Sequence, residues 1–336
     1  MKNNTAFART GILRIFLKAV DDYYGTVSSR LDLPPSLLQD PMRLMPLSEM
    51  ARYGLEIKEL LNDELFTAKA CSKLNLEHFP TLMSIVGSPR DLFTALIRFN
   101  GLFESFQSGT TLGGRVSGKM LKWRYNTRFV DGDARVHDGI FASWMFIHIL
   151  RIYHGQTYSP IIVHLPGSRL GKLGEVESIF SCDIAWNAKQ TQVWFSVEDL
   201  TKLKPPSLKP LSRVLIDQRE MLSFVDMPNP SDFLRCVYEL INYSRSFGYP
   251  KLEHIASLLD TSPQQLQRKL QADEVSFSTL VQHQLLCNQA LKMMDADYTY
   301  DQIAESLGFT NQQSFIKAFK RMHGLTPRQY QEQMEA

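Results

Sequence analysis

The stretch "AESLGFTNQQSFIKAFKRMHGLTPRQY", Ala304–Tyr330, decides how the rest of the chain is read. A short apolar pattern (Ile303, Ala304, Leu307) is cut at Gly308-Phe309, and a second one starts after three polar residues. In the second, Phe315, Phe319 and Met322 recur at the spacing of one helical face, which predicts that they are buried. Gln313, Lys317, Lys320 and Arg321 fall on another face. Gly308 gives the permissive backbone of a tight turn, and Phe309 plugs the space between the helices. Asn311 or Thr310 caps the second helix, Gly324 ends it, and Pro327 starts a further helical turn. Two short helices about a tight turn, the second with a polar outer face, form a helix-turn-helix.

The same arrangement occurs earlier. "KLEHIASLLDT" carries Leu252, Ile255, Ala256 and Leu259, matching the apolar placement of the later motif. "SPQQLQRKLQADE" then opens with Ser262 as cap and Pro263 at the first helical position. Leu266 and Leu270 point inward, while Gln264, Gln265, Gln267, Arg268 and Lys269 face largely outward. A longer helix, Ser276 to Met294, links the two motifs, and another, "SDFLRCVYELINYSRSFG", precedes them. The motifs fall at about 251–272 and 299–322.

Upstream the pattern is mixed. "PLSEMARYGLEIKELL" and "SPRDLFTALIRFNGLFESF" read as helices, the second with Ser88 as cap and Pro89 at its first position. A Gly-rich turn spans Gly109 to Gly118, and "KMLKWRYNTRF" then alternates Leu121, Trp123 and Tyr125 with Lys122, Arg124 and Asn126, as in a half-buried strand. "DGIFASWMFIHILRIYH" is helical, and "SPIIVHLP" and "TQVWFSV" are strands with a helix between them. The seam is "TKLKPPSLKPLSR", Thr201 to Arg213, whose prolines exclude a continuous helix. These readings give an α+β domain over 1–200, a linker with one short helix over 201–230, and an all-α domain over 231–336.

Several functional classes lack support. With 44% hydrophobic and 21% charged residues, the 336-residue chain has an ordinary globular composition. The N-terminal apolar run is interrupted by Arg14 and Lys18, unlike a secretory signal, and no window approaches the roughly 18 apolar residues of a membrane span. Cys71, Cys182, Cys236 and Cys287 are far apart and suggest reduced, buried thiols in the cytoplasm. His137, His148 and His154 lack the spacing of one metal-binding helix face, and Gly109, Gly113, Gly114 and Gly118 lack the frame of a phosphate loop. No cofactor, metal or catalytic motif emerges, so the chain reads as a non-enzyme. A tethered enzyme, or a chain governed by protein contacts alone, is the alternative.

The run "IASLLDTSPQQLQRKLQ" followed by "IAESLGFTNQQSFIKAFKRMHGLTPRQY" resembles the two-motif DNA-binding domain of the AraC/XylS family of bacterial transcription regulators. More weakly, "GSPRDLFTALIRF" and "IFSCDIAWNAKQTQVWFSVEDL" are similar to the arabinose-binding-like N-terminal domain of ornithine-utilisation-type regulators. Three positions depart from the family pattern. Gln264 stands where Arg is common, Glu274-Val275 where a Gly is common, and Leu285-Leu286 near a usual linking-helix Arg. The resemblance implies a sequence-specific activator acting on double-stranded promoter DNA with RNA polymerase. Its N-terminal domain would bind an unidentified small-molecule effector, form a homodimer, or both.

Each recognition helix would then enter a major groove, the two about one DNA turn (roughly 34 Å) apart. Gln264, Gln265, Gln267 and Arg268, with Asn311, Gln312, Gln313 and Lys317, are the base-edge candidates, since Gln and Asn pair with adenine and Arg or Lys with guanine. Ser262, Lys269, Thr310, Lys320, Arg321 and Arg328 are the phosphate candidates. Trp123, Tyr125, Trp144 and His148 are the candidate effector surface. From Pro228 onward, ten Lys and Arg face twelve Asp and Glu, so this region is formally −2 and the remainder +4. Yet no acid lies between Ser262 and Gln271 or between Thr310 and His323. Few phosphate contacts follow from that balance. The slope of log affinity against log salt, measured by fluorescence anisotropy, should fall well short of the value of about −10 that strongly basic binders reach.

Overall fold

The computed structural model describes residues 4–205, 224 and 226–334. Most of the linker, including the short helix expected there, lies outside these residues.

The N-terminal part opens with strand β1 (Phe7–Arg9) and helix α1 (Thr10–Tyr24), which keeps Arg14 and Lys18 exposed. Strand β2 (Leu44–Pro46) pairs antiparallel with β1 and runs into α2 (Leu47–Leu61). Helices α3 (Phe66–Cys71), α4 (Pro80–Gly87) and α5 (Leu92–Leu102) follow. The α5 cap is Asp91, whose carboxylate accepts from Thr94 N at 2.8 Å, rather than the expected Ser88. An aspartate directly before the apolar run outcompetes the Ser-Pro pair three residues earlier.

A five-stranded sheet runs in the order β3-β4-β7-β5-β6. It comprises β3 (Thr110–Ser117), β4 (Met120–Thr127), β5 (Ile162–His164), β6 (Asp183–Ala185) and β7 (Thr191–Ser196). Helix α6 (Ala134–His154) packs on it, Phe146 stacking on Trp123 at 4.0 Å, and α7 (Glu175–Phe180) precedes β6. The glycine-rich segment expected to be a turn is mostly the edge strand β3, with Gly113 and Gly114 opposite Arg124 and Trp123. Its outward residues are solvated, so the strand shows no apolar alternation.

The C-terminal part is helical: α8 (Phe233–Ser244), α9 (Leu252–Leu258), α10 (Pro263–Ala272), α11 (Phe277–Gln282), α12 (Ala290–Met294), α13 (Tyr300–Ser306), α14 (Gln312–His323) and α15 (Pro327–Met334). A π-helical stretch, His283–Gln289, joins α11 to α12. Local chemistry sets the starts: Asp232, Ser262, Ser276, Thr299 and Asn311 each accept from a backbone N–H in the first turn. One core runs through the whole helical region, with Leu266, Leu285, Ile303, Phe315 and Phe319 buried. Met322, expected inward, is 37% exposed at the rim, and Phe309 is half-buried against Tyr249.

The two motifs are the same backbone object. Thr261 N bonds to Ala256 O at 3.0 Å, and Phe309 N to Ala304 O at 2.9 Å. The turn residue is left-handed in both, Asp260 at φ 50° and Gly308 at φ 76°. Aspartate tolerates that conformation in the first motif. In the second, a Cβ on residue 308 would lie 2.4 Å from Tyr249 N, so only glycine fits. Glu274 is also left-handed, at φ 57°. Glu274→Gly should therefore raise stability by about 1 kcal/mol and Gly308→Ala lower it by more than about 2 kcal/mol, read from urea unfolding midpoints.

Candidate functional site

Helix α14 carries the second recognition surface. Asn311 Oδ1 accepts from Ser314 N at 2.8 Å, and Ser314 Oγ reaches back to Asn311 N at 3.3 Å, closing a capping box. Gly324 ends the helix in the left-handed conformation. Phe315 and Phe319 anchor it from below, and His323 stacks between Phe319 and Tyr330. Gln313, Lys317, Lys320 and Arg321 are exposed along one side. Thr310, Lys317 and Arg321 share an open cleft of about 560 Å³ with Tyr249 and Gln282, residues that motif reading passed over. Gln312 is half-buried, and Arg328 lies on α15, where its Nε donates to Glu332 at 2.8 Å.

On α10, Gln264, Gln267 and Arg268 are exposed at i, i+3 and i+4 and form one face. Gln265 is engaged locally. Its Oε1 accepts from Thr261 Oγ1 at 2.9 Å and from Ser262 N at 3.3 Å, while Ser262 Oγ accepts from Gln265 N. Lys269 sits with its Nζ 3.6 Å above the Phe233 ring. These contacts position the helix, leaving three side chains at its free face.

What holds the motifs together is buried polar chemistry. Arg245, just beyond α8, donates to Ser306 O and Oγ at 2.9 Å, to Asn242 Oδ1 at 2.8 Å and to Gln289 Oε1 at 3.3 Å. It thus ties α8 to the linking helix and to the end of α13. Burial lowers its pKa to about 9, which leaves it charged at neutral pH. The fully buried Gln284 donates to Tyr238 O at 3.2 Å and accepts from Asn288 at 2.6 Å.

The aromatic residues of the N-terminal part divide. Trp144 packs on Phe180 and His148 and lines neither of the two chambers described next. Trp123 and Tyr125 line a chamber of about 30 Å³ that shares Ile12, Met50, Asp138 and Phe141 with a larger cavity of about 70 Å³ between α1, α2 and α6. Gln107 Nε2 donates to Tyr125 OH at 2.9 Å, and Tyr125 OH donates to Asp138 Oδ1 at 3.0 Å. Burial raises the Asp138 carboxyl to about 7, opposed by the Tyr125 hydrogen bond and by Arg135. The adjacent His137 shares a hydrogen bond with Thr67 Oγ1 at 2.9 Å and is pushed down to about 4, chiefly by burial. No spacing rule marks this pair, because the cavity is assembled from separate helices.

The two groups pull stability in opposite directions with pH. Asp138 holds its proton longer when folded, so its contribution is present at low pH and lost as pH rises from about 4 through about 7. His137 resists protonation, so its contribution is lost as pH falls from about 6.5 through about 4. Asp138→Asn should remove the first dependence alone. Its stability relative to wild type should then increase between pH 4 and pH 7 in thermal unfolding at stepped pH.

With this geometry, similarity to known proteins becomes informative. Residues 25–202, more than half of the chain, match the model of the arabinose-binding domain of AraC transcription regulators, N-terminal, and residues 255–333 match that of a helix-turn-helix domain. The transcriptional activator AggR of Escherichia coli is 26% identical over 76 residues, 23% of this chain and 29% of that protein. The HTH-type transcriptional regulator VirS of Mycobacterium tuberculosis is 32% identical over 83 residues, 25% of this chain and 24% of that protein. The matched segment thus spans under a third of these relatives' length. The crystal structure of the transcriptional regulator CdpR from Pseudomonas aeruginosa aligns over 95% of this chain and 98% of that one, with 14% identity and a TM-score of 0.43. The chain belongs to the AraC family of transcription regulators.

Proposed function

We propose that this chain binds promoter DNA sequence-specifically through both motifs and activates transcription in the cytoplasm. The observation that carries this reading is the pair of recognition helices: each is capped, free of acidic residues and exposed on one side, and both stand on one continuous core. Gln264, Gln267 and Arg268 read one major-groove segment, Gln313 and Lys317 the next. Lys320 and Arg321 grip phosphates. Asn311 and Gln265 act mainly as caps, with Thr310 and Ser262 offering hydroxyls near the backbone. Similarity to a relative named a transcriptional activator supports the activating role, and this reading includes RNA polymerase as the partner. In this reading residues 1–200 sense a small-molecule effector, pair two copies, or do both, and 201–230 connect them to 231–336.

An effector acts by favouring one of two arrangements of these parts. The contacts for that exist: Arg43 Nη2 donates to Asn242 O at 2.6 Å, and Tyr243 OH donates to Glu49 Oε2 at 3.0 Å. A tethered thiol enzyme is less well supported, because burial pushes the Cys182 thiol up to about 12 and the Cys236 thiol up to about 11, away from the thiolate. Among the described residues no helix is long and apolar enough to cross a membrane.

Binding-site selection on the full chain tests the reading. Gln313→Ala and Lys317→Ala should each relax preference at particular base pairs, by roughly 1–3 kcal/mol per contact. A uniform loss over all sequences would move these side chains to the phosphate class, and recovery of no preferred sequence by the wild type would sink the proposal.

A further inference from the structure

The reading of the N-terminal part as a sensor leaves its ligand's chemistry open, and the cavity between α1, α2 and α6 constrains it. The cavity walls are apolar, with Phe16 set edge-on to Phe141 at 5.4 Å and to Phe66 at 6.1 Å. Among the residues lining it and the adjoining chamber there is no Lys or Arg, so nothing there would neutralise a carboxylate or phosphate. About 70 Å³ of free space is too little for a sugar phosphate or nucleotide.

Three polar side chains interrupt the apolar wall: Thr67 of α3, which is engaged with His137 Nδ1, and His137 and Asp138, side by side on α6. Asp138 Oδ1 accepts from Tyr125, and the residue lines both chambers. His137 is only 7% exposed, and its Nε2 has no hydrogen-bond partner. A buried polar nitrogen left without a partner is unfavourable, and a ligand supplying that partner recovers the loss. Gly54 of α2 also lines the cavity, and a Cβ added there would meet no atom within 4 Å. The space is thus open on the α2 side.

We propose that this cavity, on the effector-sensing reading above, takes a compact apolar molecule bearing one hydrogen-bond-donating head, a hydroxyl or an amine, seated at Asp138 and His137. The head donates to the Asp138 carboxylate and meets His137 Nε2, while the body lies among Phe16, Phe66 and Phe141. Helix α2 supplies Met50, Ala51 and Leu55 to the cavity and Glu49 to the Tyr243 contact, so occupancy is felt at α8.

The test uses the full chain with 2-propanol, isopropylamine and dissolved propane, probes sized to the cavity, in thermal-shift and calorimetric titrations. At least one of the two donor-bearing probes should bind roughly tenfold more tightly than the hydrocarbon. Asp138→Asn should erase that difference, and Gly54→Leu, which fills the cavity from a helical position, should abolish binding while leaving the fold intact by circular dichroism. A preference for the amine over the alcohol would identify the ionised carboxylate as the partner. Equal binding of all three probes, binding that survives Gly54→Leu, or no binding of any probe overturns the proposal. Anisotropy with the selected DNA duplex, run in parallel, separates the two levels. DNA binding without probe binding removes only the cavity assignment, whereas absence of DNA binding removes the regulator reading.

Discussion

The close approach of Gly308 to the backbone of Gly248 and Tyr249 governs the helical half of the molecule. A Cβ at 308 would sit 2.5 Å from Gly248 C as well as against Tyr249 N. The turn of the second motif is thus pressed directly onto the chain leaving α8. Arg245 completes the junction by occupying the exposed carbonyl end of α13 at Ser306, an arrangement that satisfies an orphan helix-end acceptor and a buried guanidinium together. The first motif reaches α8 by a different route, through Lys269 over Phe233 and through the shared apolar core. Both recognition helices are therefore referenced to one element.

That element also faces the N-terminal part. Phe7 of β1 and Leu44 of β2 are buried in the core of the helical region, and Tyr243 of α8 is buried in a core of the N-terminal part. Arg43, between them in the fold, is desolvated enough that its pKa falls to about 10. It retains a carbonyl partner on α8 through Asn242. The two parts consequently meet across a packed surface as well as through the proline-rich connection. A shift of α2 by even a few tenths of an ångström would be felt at α8, because packed interiors transmit displacement.

Legibility in the sequence followed the range of the deciding interaction. Caps and turns are local, so Ser262-Pro263, Asn311, Gly308 and Gly324 announced their helix ends with little ambiguity. The same local chemistry misled at Ser88-Pro89, where Asp91 offered the better cap. Strand β3 was hidden because an edge strand with Gly113 and Gly114 shows solvent on most of its residues and carries no apolar alternation. Met322 satisfied the helical period but sits where the core has already ended. On the outer faces of α10 and α14, the exposed Gln and Lys residues were legible from periodicity. The capping role of Gln265 and the aromatic seat of Lys269 depend on partners that periodicity does not reveal. The Asp138–His137 cavity was least legible of all, since α1, α2, α3 and α6 contribute to it from distant parts of the chain.

The π-helical stretch His283–Gln289 gives the linker between the motifs a particular phase. In an α-helix each residue advances the chain by about 100° around the axis, so a stretch with wider hydrogen-bonded rings offsets everything beyond it. The Gln284 side chain, buried and bonded to Tyr238 O and Asn288, ties that stretch to α8. The angular setting of one motif against the other is therefore written into the linking helix itself. The relative phase of α10 and α14 is then a property of this segment, separable from the side chains exposed on either helix.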